Sequence, residues 1–142
     1  RSRAQLLLVG GRGRRWANLE NITWLGELTS DELRQTYANV DYIVQASQGE
    51  AFGLTVIEAA SQGASPIVRA GGALEETQKL LQAGSAFSSA KDLCRVLEEI
   101  TLRPAPTPDF RALLSSRAVN SFRLERVGSL YENLYRSLGA IN

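Results

Sequence analysis

The chain has 142 residues, enough for one compact domain with its own core and too few for two. Its composition, 44% hydrophobic and 22% charged with 12 Gly and 4 Pro, is that of an ordinary globular protein rather than a disordered or fibrous one. Sixteen basic and fifteen acidic residues leave a net charge of +1 with the signs interspersed, so no overall field recruits nucleic acid.

Histidine is absent, which excludes a Ser-His-Asp triad, a His-based metal site and an imidazole general base from this chain. Arg1, Arg3, Arg12, Arg14 and Arg15 cluster near the start, but no aromatic platform beyond Trp16 is interleaved with them, and no nucleic-acid partner is expected. The single cysteine, Cys94, lies in the apolar-periodic run Leu93, Cys94, Val96, Leu97 and reads as a buried structural thiol. No apolar run approaches the roughly 18 residues of a membrane span, and no signal segment opens the chain, so a cytoplasmic setting is expected. The chain starts at Arg1 and contains no Met, and it reads as a piece of a longer protein.

In chain order, Gln5 to Val9 (QLLLV) is an apolar run ended by Gly10 and Gly11, the pattern of a strand buried on both faces that runs into a tight turn. Arg12 to Glu20 is short for a crossover helix. Ile22 to Leu25, ended by Gly26, and Tyr42 to Val44, before the loop Gln45 to Gly49, read as the second and third strands, and Ser65 to Val68 as the fourth. Ser30 to Ala38 predicts a helix with Thr29 or Ser30 as N-cap and Asp31 and Glu32 in its first turn. Leu54 to Gln62, stopped by Gly63, predicts another. Ala73 to Gln82 and Ala90 to Thr101 continue as helices around a short strand near Ser85 to Phe87. Alternation of short buried strands with helices predicts an α/β fold with a doubly wound parallel sheet. Residues 1–102 form the Rossmann-like domain in this reading. Arg103 to Asp109 (RPAPTPD) holds three of the four prolines and reads as a linker. Residues 110–142 supply two closing helices, the second with Val127, Leu130, Leu134 and Leu138 on one stripe as a packing element.

Gly11-Arg12-Gly13 opens like a dinucleotide fingerprint, but Trp16 stands where the third small residue is needed, and no acidic residue ends the next strand. A nicotinamide cofactor is therefore not expected.

The informative segment is Gln45 to Val68. Glu50 and Glu58 are eight positions apart, a spacing that means little alone. Its context carries the argument: a buried strand precedes the pair, Ala51-Phe52-Gly53-Leu54 makes a strand-to-helix turn, and a glycine and another strand follow. A helix starting near Gly53 leaves the N–H groups of Phe52, Gly53 and Leu54 outward at the carboxyl edge of a parallel sheet, an anion site. Gly53 lets the backbone approach a phosphate or a sugar ring. Glu58, roughly 7 Å along the helix axis and leaning back toward its start, reaches a neighbouring group such as a ribose diol. The competing reading makes both glutamates solvated surface residues. For Glu58 that reading conflicts with the apolar neighbours Val56, Ile57, Ala59 and Ala60.

With these residues in place, the sequence resembles the glycosyl transferases group 1 family, retaining enzymes of the GT-B fold. Leu7 to Gly11 resembles its strand and Gly-rich turn, Asn21 to Gly26 its Asn-Val-x-Phe-x-Gly strand, and Glu32 to Asp41 its Glu-Leu-x-x-x-Tyr-x-x-Ala-Asp helix. Ala46 to Gly63 resembles Pro-Ser-x-x-Glu-x-Phe-Gly-Leu with its second Glu; Gly71, Gly72 and Glu75 resemble Gly-Gly-x-x-Glu; Phe122 to Tyr135 resembles the closing helix. Ala46 replaces the usual Pro, and Ala60 a frequent Met.

The resemblance implies the nucleotide-sugar-binding C-terminal half of such an enzyme. Glu50 would contact hydroxyls of the transferred sugar as the catalytic residue, and Glu58 would hold the ribose. Ala51, Phe52, Gly53 and Leu54 would line the diphosphate and sugar, with Gly10 and Gly11 also at the donor, while Glu27 and Leu28 would face the base through backbone groups. The resemblance further implies that the domain's first strand and helix, with the Arg and Lys that grip the pyrophosphate, lie upstream of Arg1 with the acceptor-binding domain. The donor is a nucleotide sugar; no cofactor or metal is implied, and peripheral membrane association of the parent enzyme stays open, as does a contact of Arg12 or Arg14 with the pyrophosphate. The alternatives are a sugar-nucleotide epimerase, a phosphorylase, and a non-catalytic module that has kept the fold; Lys79 and Lys91 fall on predicted surface helices, which offers a pyridoxal-bearing phosphorylase no lysine.

Overall fold

A computed structural model describes residues 4–17 and 19–139; Arg1 and Arg3 of the arginine cluster lie outside the described residues. The elements are β1 (Leu6–Val9), a 3-10 turn (Gly13–Trp16), β2 (Ile22–Gly26), α1 (Ser30–Ala38), β3 (Tyr42–Gln45), α2 (Leu54–Ser61), β4 (Ser65–Arg69), α3 (Ala73–Leu81), β5 (Ser85–Phe87), α4 (Ala90–Thr101), α5 (Pro108–Phe122) and α6 (Leu124–Ser137). Helix starts follow local chemistry. Thr29 and Glu32 form a reciprocal capping box on α1, Ser89 caps α4, and Thr107 caps α5 with Pro108 in its first turn, where a missing N–H costs nothing. Pro108 and Asp109 thus belong to a helix rather than to the linker expected over Arg103 to Asp109.

All strand pairs are parallel, and they make two separate sheets, β1-β2 and β3-β4-β5. β4 is the buried centre, and its alternation divides the core: Val68 packs with Val56, Ala60, Leu74, Leu81, Leu114 and Ala118 of α2, α3 and α5, and Ile67 packs with Phe87 of β5 and Val96 of α4. Tyr37 of α1 packs with Ala59 and Ala64.

α5 is tied in by side chains that bond to helix ends. Arg111 donates to the carbonyls of Val40 (2.7 Å) and Ala38 (2.8 Å), Ser115 donates to Ser61 (2.6 Å), and Arg117 donates to Gln82 (3.2 Å). These carbonyls lie at or beyond the last turns of α1, α2 and α3, which have no intrahelical donors left for them.

Three expectations are corrected. β1 is not buried on both faces: Leu6 and Val9 are each 45% exposed, because β1 pairs only with β2 and is followed by a 3-10 turn instead of a covering helix. The α6 stripe does not pack: α6 buries no residue, and Leu130, Leu134 and Leu138 are exposed. Cys94 is exposed, since its place on α4 falls just off the face that carries Leu93, Val96 and Leu97.

Candidate functional site

At the carboxyl end of β3 the chain leaves the sheet at Gln45, turns through Gly49 at a φ of 73°, and enters α2 through Gly53 at a φ of 77°. The left-handed conformation at Gly53 is one that a glycine adopts without strain. A Cβ there would also come within 2.8 Å of Leu74 Cδ2, so the glycine is required from the interior side as well. Gly53 accepts from the N–H groups of Val56 and Ile57, while those of Phe52, Gly53 and Leu54 have no partner among the described residues. The start of α2 therefore presents free donors and the positive end of its dipole at the sheet edge.

Four contacts hold this loop. The Phe52 carbonyl accepts from the Thr77 hydroxyl at 3.3 Å, and the Phe52 ring meets Phe122 edge-to-face at 6.0 Å. Glu50, half-buried, accepts at Oε2 from the Ser47 hydroxyl at 2.7 Å and from the Gln45 amide at 3.4 Å. Ser47, Gln45, Thr77 and Phe122 were not among the expected site residues. Only Ser47 stands in the motif, and its partners are set by the turn rather than by any spacing.

Glu58 is exposed on α2, which corrects the expectation that its apolar neighbours leave it little polar surface: Val56, Ala59 and Ala60 turn inward and Glu58 turns out. Its charge nevertheless reaches α1. Burial first, and Glu58 second, push the Tyr37 phenol above its usual pKa.

Gly10, Gly11 and Glu27 come together at the carboxyl ends of β1 and β2. Gly10, at a φ of 111°, donates to Gly26 and accepts from the Trp24 indole, both at 2.7 Å. A Cβ on Gly11 would stand 3.1 Å from a Glu27 carboxylate oxygen, so Glu27 lies over this turn, with half-buried Leu28 beside it. No hydrogen bond or ion pair among the described residues joins this group to Glu50–Leu54. In the third glycine turn, Glu75 accepts from the Gly71 N–H at 2.8 Å and pairs with Lys79; Lys79 first, and the Gly71 N–H second, hold its carboxyl below the usual range. The Arg69 side chain, at the carboxyl end of β4, has no ion pair or hydrogen bond among the described residues. No group of three His, Cys, Asp or Glu side chains suited to a metal occurs among them, nor any helix long and apolar enough to cross a membrane.

A glycine-started helix with free amides and a loop carboxylate held at one oxygen stand at the edge of a parallel sheet, and the same helix carries a second carboxylate at Glu58. A model of the glycosyl transferases group 1 family matches residues 1–99. The chain belongs to that family. Among solved structures, this group 1 transferase chain is similar to sucrose-phosphate synthase from Thermosynechococcus elongatus, with 26% identity, a TM-score of 0.72, and coverage of 96% of this chain and 39% of that one. It is also similar to AviGT4, a glycosyltransferase involved in avilamycin A biosynthesis, with 17% identity, a TM-score of 0.68 and coverage of 93% and 42%. The third is WaaG, a glycosyltransferase involved in lipopolysaccharide biosynthesis, with 18% identity, a TM-score of 0.62 and coverage of 80% and 32%. The last two likenesses speak for the fold alone. The chain thus spans less than half the length of each, and no curated protein matches it.

Proposed function

We propose that this chain is the donor-binding domain of a retaining, hexosyl-type glycosyltransferase, which binds a nucleotide-diphosphate sugar and transfers the sugar to an acceptor held by a second domain. The observation that carries this reading is the set of unpartnered amides at Phe52, Gly53 and Leu54 beside the held carboxylate of Glu50. The amides and helix dipole suit the diphosphate, whose charge grows as it leaves. Glu50 suits a sugar hydroxyl, and the exposed Glu58 suits a ribose diol.

The sheet topology supports a further part of this reading. A doubly wound order 3-2-1-4-5-6 places one strand between the pair β2-β1 and the set β3-β4-β5, which here do not hydrogen-bond to each other. A strand from outside these 142 residues would fill that place, cover the exposed Leu6 and Val9, and complete the nucleotide crevice. Catalysis requires reactants held between two domains, so the chain alone binds donor without turnover. Titration of the intact protein with uridine, adenosine and guanosine diphosphate hexoses, with and without candidate acceptors, tests the reading. Binding with hexose transfer or slow donor hydrolysis supports it; binding without either across the panel turns it toward a non-catalytic module.

A further inference from the structure

Glu50 is held at one of its two oxygens. Ser47 donates its hydroxyl proton to Oε2 at 2.7 Å, and Gln45, the last residue of β3, donates to the same oxygen at 3.4 Å. Gln45 also donates to the Ser47 oxygen at 3.0 Å, so the serine hydroxyl accepts from the strand end and passes its own hydrogen to the carboxylate. A chain of donors aligned in one direction polarises each member and strengthens the last bond. Oε1 has no partner among the described residues. A carboxylate tethered at Oε2 and free at Oε1 has lost much of its rotational freedom before any ligand arrives.

Resting on the donor-binding reading above, we propose that Ser47, backed by Gln45, is a positioning residue that fixes Oε2 of Glu50 so that Oε1 is the oxygen offered to a sugar hydroxyl. Ser47 touches no substrate in this account; it acts through Glu50. Gln45 sits at the end of a strand paired in register with the buried β4, which anchors the tether in the rigid part of the domain.

The test compares Ser47→Ala, which removes the donor, with Ser47→Thr, which keeps it, in the intact protein. Nucleoside diphosphates and their hexose conjugates are titrated in parallel. Ser47→Ala is expected to weaken hexose-conjugate binding about three- to tenfold, the equivalent of one lost hydrogen bond, and to leave nucleoside diphosphate binding within about twofold. Ser47→Thr is expected to behave as the parent. Parent-like binding of both ligands by Ser47→Ala, with Glu50→Gln alone losing the contribution of the hexose, would overturn the proposal. A ligand-free measurement separates this claim from the donor reading: with labelled glutamate, the Glu50 side chain should occupy one rotamer in the parent and Ser47→Thr and average over several in Ser47→Ala. A parent that binds no nucleotide hexose defeats the donor reading alone, and identical Glu50 rotamer populations in parent and Ser47→Ala defeat the positioning role alone.

Discussion

A methyl group on residue 53 would stand 2.8 Å from Cδ2 of Leu74, so the glycine that opens α2 is demanded by the core as well as by its own backbone angle. Gly53→Ala should lower stability by roughly 1 to 3 kcal/mol, from overpacking plus a positive φ. On a Leu74→Ala background, Gly53→Ala should cost less by only the overpacking part, because the φ of 77° persists. Urea midpoints of the two variants and of Leu74→Ala check this. No cost of Gly53→Ala on the Leu74→Ala background would assign the whole effect to the clash with Leu74.

Arg111 reaches three carbonyls at the ends of two helices, α1 and α2, from α5, and its Cβ occupies the space that a side chain on Gly63 would need. Its ion pair with Asp41, at 3.6 Å and with Asp41 exposed, contributes little. The bonds to carbonyls matter more. Arg111→Ala should cost about 2 to 3 kcal/mol, and Arg111→Lys should fall between, since an ammonium cannot span carbonyls as a planar fork does. Asp41→Asn should change the urea midpoint little; a loss there equal to that of Arg111→Ala would contradict this ranking.

Much of the fold was legible because short apolar strands alternate with capped helices: α1 runs over the expected Ser30 to Ala38, and the structure selects Thr29 between its two candidate caps. Periodicity, however, reports which residues share a face and not whether a partner covers it. That is why Leu6, Val9 and the Leu130–Leu134–Leu138 stripe were read as buried and are exposed. The turn from β3 into α2 was legible in the motif residues Glu50 through Leu54. Its supports were not, because Thr77 and Phe122 come from distant parts of the chain and meet Phe52 only after α3 and α5 have packed.

Tyr37 links α1 to Glu58 and gives the fold an alkaline limit. Burial, then the Glu58 charge, raise the folded phenol above the unfolded value of about 10. A raised folded pKa means the contribution is complete below the unfolded pKa and is lost as pH rises from there through the folded one. Stability should therefore fall above about pH 10, with a smaller fall in Tyr37→Phe. Phenolate absorbance, taken as the difference between each protein and its Tyr37→Phe form, should show Tyr37 titrating lower in Glu58→Gln than in the parent. An unchanged Tyr37 titration would separate Glu58 from α1.

The two glutamates carry the central claim and should fail differently. Glu58→Gln should weaken nucleoside diphosphate and nucleotide-sugar binding equally in the intact enzyme, by about 1.5 to 3 kcal/mol for a lost charge-assisted contact to the ribose. Glu50→Gln should leave nucleoside diphosphate affinity nearly unchanged while lowering turnover, because its contact is to the sugar as charge develops there. The most direct measurement is the affinity of each variant for nucleoside diphosphate alone beside its transfer rate. The account predicts lost affinity in Glu58→Gln and retained affinity with slowed transfer in Glu50→Gln; parent-like values for both variants would contradict it.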